Sequence, residues 1–145
     1  MADLEDSVHE EIVRLSQQGD ELAEAGQYDD AIKLYSDAWR LLPEPQQQWD
    51  AALWLLAAIG DTSFLSQNFE NAKNALQFCL LNCPDALGNP FLHLRLGQTQ
   101  FELQDLEGAA NELMRAYMGA GDDIFANEDP KYRAFLATRA RLDDQ

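Results

Sequence analysis

The sequence has few basic residues and almost no cysteine or histidine, and each scarcity excludes a class of function. Its 145 residues contain 10 Lys and Arg against 26 Asp and Glu, which gives a formal net charge of −16. A chain this acidic repels the phosphate backbone of nucleic acids and anionic lipid headgroups, so direct binding to either is disfavoured. The same charge is compatible with a basic protein partner and equally with plain solubility.

The two cysteines, Cys79 and Cys83, lie four residues apart, and no second pair exists that could complete a zinc site. We expect both to be buried, reduced thiols. Catalytic residues are equally scarce, because the two histidines are far apart and no phosphate loop or serine nucleophile motif is present. The sequence therefore predicts a protein that is not an enzyme and that has no metal and no cofactor.

Glycine and proline are also few, at 8 and 5 residues, so long linkers are not expected. The uncharged segment 51–60 is about half of a membrane span, and no basic and apolar leader is visible at the start. With 46% hydrophobic residues, the chain can build one sizeable core. We expect a single domain over residues 1–145, located in the cytoplasm and not in a membrane.

Helix-forming residues dominate the chain, and apolar residues recur three and four positions apart. Alternation with a period of two, which would indicate strands, is absent. Turn residues separate the apolar stripes, and Asp129 followed by Pro130 is typical of a helix start. These patterns predict an all-α fold of about seven helices.

Three internal repeats are visible, with periods of 41 and then 37 residues. Each begins with a glycine in the middle of a helix, has an alanine twelve residues later and a large apolar residue four further on. The next common position is a small residue three further along. The matching sets are Gly19, Ala31, Tyr35 and Ala38; Gly60, Ala72, Leu76 and Cys79; and Gly97, Ala109, Leu113 and Ala116.

This pattern resembles the tetratricopeptide repeat (TPR), a helix pair of 34 residues. The resemblance implies a right-handed superhelix of about three helix pairs, over residues 12–45, 53–86 and 90–121, followed by a capping helix over about 129–141. The extra residues fall between the units, where they leave the packing within each pair unchanged. Such a solenoid needs about three stacked units and a polar cap.

In this family the first helix of each pair lines a concave groove that binds partner proteins. Some of the corresponding residues can instead belong to the core, and Trp54 and Phe64 are expected to be the most exposed. The positions carried over from the resemblance are Asp20, Trp54, Asp61, Phe64, Leu65, Phe91, Leu94, Arg95, Gln98, Phe101 and Glu102.

The groove so predicted is aromatic and acidic. Family members that grip the carboxylate of chaperone tails use several Lys, Arg and Asn side chains, whereas only Arg95 has that character here. The sequence therefore predicts one protein partner with a basic or amphipathic surface.

The leading functional hypothesis is a bacterial immunity protein that neutralises a basic polymorphic toxin. It comes from a resemblance of segments 88–98 and 115–118 to small acidic TPR immunity proteins. The alternative is a chaperone for a translocator of type III secretion, since those chaperones are similar in size, acidic and built from three such repeats. A generic TPR scaffold or co-chaperone is the third possibility.

Overall fold

The computed structural model describes residues 4–142, and in this range every regular element is helical. Three 3₁₀ turns, Gln46–Gln48, Ala86–Gly88 and Asp122–Phe125, lie in the longer connections. The all-α prediction is confirmed. The described part of the chain has seven α-helices: α1 Asp6–Glu24, α2 Tyr28–Arg40, α3 Asp50–Leu65, α4 Phe69–Asn82, α5 Pro90–Glu102, α6 Leu106–Ala120 and α7 Pro130–Arg139.

The helices pack in consecutive pairs, α1 with α2, α3 with α4 and α5 with α6. Contacts of α2 with α3 and of α4 with α5 join the pairs into one stack, and α7 packs on α6. This arrangement confirms the predicted TPR-like architecture. α1 begins at Asp6, before the predicted first repeat, and α7 lies inside the predicted capping segment.

A glycine in the first helix of each pair faces the large apolar residue predicted to match it in the second. A Cβ added at Gly19 would lie 2.7 Å from Tyr35, at Gly60 2.6 Å from Leu76, and at Gly97 2.8 Å from the Leu113 side chain. Carbon atoms do not approach this closely, so only glycine allows the observed packing. The three glycines therefore set the distance between the helices of each pair.

The turn inside each helix pair contains a residue in the left-handed backbone region. The three equivalent positions are Gly26, with φ of 80°, Gln67, with φ of 67°, and Gln104, with φ of 69°. Glycine adopts this conformation without a steric penalty, whereas a residue with a Cβ adopts it at a cost in free energy. The repeat thus keeps one turn geometry although its second and third copies lack the glycine.

Side-chain caps fix several helix starts. Asn68 accepts a hydrogen bond from the backbone N–H of Asn71, and Asp105 accepts one from that of Gly108. Asp129 caps α7 through the N–H of Lys131, with proline at the first helical position, as the sequence predicted.

The core consists of two apolar clusters that meet along α5. The larger one runs from α1 to α5, and the smaller one joins α5 and α6 to Phe125 and α7. Cys79 and Cys83 are free thiols buried in the larger cluster. Burial, together with the neighbouring Cys83, raises the pKa of Cys79 to about 12, so this thiol stays protonated and unreactive.

Replacement of Gly60 by alanine tests the packing constraint. We expect Gly60→Ala to lower the free energy of unfolding by about 1–3 kcal/mol, because the new Cβ forces Leu76 or the helix backbone to move. Chemical denaturation measures the change. Gly88→Ala is the matched control, since a Cβ at Gly88 meets no atom within 4 Å. Equal stability of the two variants would contradict the constraint.

The turn geometry predicts a stabilising change. Gln67→Gly should raise the free energy of unfolding by about 0.5–1 kcal/mol relative to Gln67→Ala, because glycine relieves the left-handed strain that alanine retains. Thermal and urea denaturation of both variants measure the difference. An alanine variant as stable as the glycine variant would show that the turn carries no strain.

Candidate functional site

The most accessible part of the predicted groove lies on α3. Trp54, Asp61 and Leu65 are seven and four residues apart, which places them on one face of this helix. Trp54 is 37% and Leu65 46% exposed. Large apolar side chains with this exposure flank a carboxylate, so this face offers both apolar anchors and charge.

Arg95 joins α3, α5 and the segment before α7. Its Nε lies 2.9 Å from Asp61 Oδ1, and its Nη1 donates to Glu128 Oε1 at 2.9 Å and to Gln98 Oε1 at 2.6 Å. Gln98 Nε2 also donates to Glu128 Oε1 at 2.8 Å. The guanidinium lies 4.7 Å from the ring centroid of Phe64 and 5.1 Å from that of Phe91. We call these residues the Arg95 cluster: Asp61, Phe64, Phe91, Arg95, Gln98 and Glu128.

The Arg95 cluster carries more negative than positive charge, because two carboxylates share one guanidinium. Burial raises the pKa of Asp61, the Arg95 charge opposes this shift, and the Glu128 charge adds to it. The Asp61 side chain is nevertheless 34% exposed. An incompletely neutralised carboxylate therefore lies at the surface of α3.

A second carboxylate comes from α1. The Tyr35 hydroxyl donates to Asp20 Oδ1 at 2.6 Å, and Asp20 itself is exposed. Burial and the charges of Asp20 and Asp61 all raise the pKa of Tyr35, so the tyrosine remains a donor. The Tyr35 hydroxyl therefore lies near carboxylates from both α1 and α3.

The part of the predicted groove near the C-terminus is covered by the chain itself. The Tyr132 hydroxyl donates to Glu102 Oε2 at 2.8 Å, and Lys131 Nζ lies 2.9 Å from the same oxygen. The Tyr132 ring packs against Phe64 and Phe101. Phe101 and Glu102, both predicted as partner-binding residues, therefore contact α7 in this structure.

The remaining predicted residues divide between core and surface. Leu94 is 2% and Gln98 0% exposed, so both lie in the interior and present no accessible surface to a partner. Trp54 and Phe64 are both expected to be exposed, but Phe64 is half-buried and contacts Phe69 and Tyr132. The residues that stay accessible are Asp20, Trp54, Asp61, Leu65 and Phe91, which we call the open face.

Tyr132 is expected from the sequence to pack inward from the capping helix and Glu128 to lie in a solvated acidic loop, but their contacts with Glu102 and Arg95 are not predicted. Asp129 and Pro130 correctly predict the start of α7, but no local pattern indicates that the preceding turn reaches Arg95. For His93, which is far in sequence from the other histidine, a packing or surface position is expected. The structure places it in the interior, where its Nδ1 lies 2.6 Å from Glu112 Oε2 and its Nε2 2.7 Å from the carbonyl oxygen of Leu87.

Within residues 4–142 no group of three or more potential ligand side chains is arranged to hold a metal ion. None of the helices in this range is long and apolar enough to cross a membrane.

Comparison with known proteins identifies the fold of this chain but does not assign it to a family. No protein-family profile and no curated protein sequence matches the chain. Several solved TPR structures do. The first TPR domain of Spaghetti (RPAP3), solved with the HSP90 peptide SRMEEVD, is similar at 18% identity and a TM-score of 0.71, over 90% of this chain and 94% of that one.

Two further TPR proteins cover nearly the whole chain. The C-terminal TPR-containing domain of a Plasmodium falciparum FK506-binding protein has 14% identity and a TM-score of 0.71, over 94% of this chain and 91% of that one. PcrH from Pseudomonas aeruginosa has been solved alone, and PcrH has also been solved in complex with the chaperone-binding region of PopB. PcrH in the complex is similar to this chain at 20% identity and a TM-score of 0.63. That match covers 95% of this chain and 96% of PcrH. At these identities the likeness shows a TPR fold.

Replacement of Arg95 tests how far its charge stabilises the carboxylates of the Arg95 cluster. We expect Arg95→Leu to lower the free energy of unfolding by about 1–3 kcal/mol, because Asp61 and Glu128 lose their counter-ion while partly buried. Adding Glu128→Gln should recover part of the loss. Arg40→Leu, which breaks an exposed pair with Asp37, is the control and should change stability by about 0.5 kcal/mol or less.

Urea denaturation of the three variants at pH 7 measures these differences. A double variant no more stable than Arg95→Leu alone would contradict the assigned coupling between Arg95 and Glu128.

Proposed function

We propose that this chain is a non-enzymatic binding module that holds a segment of a client protein on its open face, as a chaperone for a secreted protein does. The observation that carries the proposal is the set of accessible apolar side chains beside incompletely neutralised carboxylates on α1, α3 and the start of α5. The likeness to PcrH, which has been solved with the chaperone-binding region of PopB, supports this function.

The chemistry of the open face indicates which client it would accept. Trp54, Leu65 and Phe91 offer apolar contact area that a client side chain can cover, and aromatic anchors contribute much of the affinity in such interfaces. Asp20 and Asp61 attract cationic side chains and disfavour acidic ones. The expected client segment is therefore amphipathic and carries Lys or Arg.

The closed part of the groove argues against a client tail rich in carboxylates. Arg95 is the one basic side chain among the predicted groove residues, and it is already engaged by Asp61 and Glu128. An acidic tail would have to displace Glu128 and would still face Asp61. The HSP90-type peptide of the RPAP3 complex is thus a poor guide to the ligand of this chain.

The immunity-protein hypothesis has the −16 charge in its favour, since an acidic protein can cover the basic cleft of a toxin. None of the structures named above is an immunity protein. The client-binding function accounts for the exposed apolar anchors as well as for the charge, and we therefore prefer it.

Binding kinetics with selected peptides test the proposal. A random peptide library displayed on phage and selected on the purified protein should yield sequences that combine Lys or Arg with large apolar residues. For such a peptide, Trp54→Ala should speed dissociation by about 30-fold if Trp54 is a hot spot worth about 2 kcal/mol. Met118→Ala, at an exposed apolar position outside the open face, is the matched control and should leave the rate unchanged.

Asp20→Asn should mainly slow association, and raised salt should remove the difference, because screening shortens the reach of exposed charges to about 8 Å at physiological ionic strength. Surface plasmon resonance at two salt concentrations separates the rates. Selected peptides that are acidic, or that bind the Trp54→Ala variant normally, would show that the open face is not the client site.

A further inference from the structure

A second apolar concavity lies away from the open face. It has a volume of about 360 Å³ and is formed by α4, the turn Ala86–Gly88, α5 and α6. Four leucines make its apolar walls, and the polar side chains around it include Glu112 and Arg115. We call it the leucine hollow, with walls formed by Leu80, Leu81, Leu87 and Leu96.

Two of the wall residues are unusually exposed. Leu81 is 82% and Leu87 66% exposed, while Leu80 and Leu96 are buried at 7% and 3%. The lining thus combines solvent-exposed leucines with leucines that belong to the larger core cluster. An exposed apolar surface with polar residues beside it is the usual form of a protein interaction site.

The one basic side chain that lines the leucine hollow, apart from the His93 ring, is Arg115. Glu112 is engaged by His93, whose other ring nitrogen lies 2.7 Å from the carbonyl oxygen of Leu87. Arg115 is exposed and forms no ion pair with any residue in the described range 4–142. In a chain with a net charge of −16, a free cation beside an apolar hollow selects for a carboxylate.

We propose that the leucine hollow is a docking site for an acidic amphipathic helix of a second protein. One large apolar side chain of that helix enters the hollow between Leu81 and Leu87, and a carboxylate about one helical turn away pairs with Arg115. A helix suits the site because its residues three and four apart share a face, so that an apolar anchor and a carboxylate point the same way.

A second copy of this chain is a poorer occupant, because two molecules of charge −16 repel each other at long range. The charge preference of the leucine hollow is also opposite to that of the open face. The two surfaces therefore select different partners, and this inference stands whether or not the open face binds a client.

Peptide titration tests the site. The probe is a capped helical peptide of alanine, leucine and glutamate, in which each glutamate lies one turn from a leucine. Its control has glutamine at every glutamate position. We expect the glutamate peptide to bind about two- to fivefold more tightly, which corresponds to one exposed ion pair. The backbone amide resonances that shift should belong to α4, the turn at 86–88, α5 and α6.

Matched variants identify the contacts. Arg115→Gln should abolish the difference between the two peptides, whereas Lys33→Gln, which removes another exposed cation, should preserve it. Leu81→Ser should weaken both peptides, and since Leu81 is 82% exposed the variant should still fold, as circular dichroism would confirm.

Equal affinity for the two peptides would overturn the proposed charge selection. Resonance shifts confined to the open face would overturn the site itself. A dimer in analytical ultracentrifugation that dissociates in the Leu81→Ser variant would overturn the proposed occupant in favour of a second copy.

Discussion

The contact between a glycine and a large apolar side chain within each helix pair is the constraint on which the other features depend. Gly19, Gly60 and Gly97 leave no space for a Cβ, so the two helices of each pair are held at one distance. Because the same contact recurs in all three pairs, their first helices occupy equivalent positions in the stack. Side chains from α1, α3 and α5, such as Asp20, Asp61 and Arg95, can then act together although they are far apart in sequence.

The repeat architecture could be predicted from sequence because its signals are local. The glycine, the small residues and the large apolar residue recur at fixed offsets, and each offset corresponds to a contact within one helix pair. The left-handed turns at Gln67 and Gln104 were not predictable in this way, since glutamine has no preference for that conformation. At these turns the packing of the helix pair determines the backbone conformation, and the local sequence is only compatible with it.

The candidate site was predicted only in part because its contacts cross between distant elements. Helical periodicity identifies the face on which Arg95 and Gln98 lie, but it does not show what covers that face. The structure supplies Glu128 from a 3₁₀-containing connection and Tyr132 from α7. Arg95, the strongest sequence candidate for a partner-binding cation, is thereby engaged within the chain. A buried guanidinium requires such partners, but the sequence around Arg95 does not indicate which residues they are.

The position of α5 accounts for the opposite charge preferences that we propose for the two surfaces. This helix is buried on nearly all sides and directs polar groups in two directions, with Arg95 toward α3 and Glu128, and His93 toward Glu112 on α6. On the first side one cation meets two carboxylates, so negative charge remains at Asp61. On the second side the histidine engages the carboxylate of α6, and the nearby Arg115 has no ion-pair partner among residues 4–142. The distribution of a few pairing partners around one central helix is thus the structural basis of the two charge preferences that we propose.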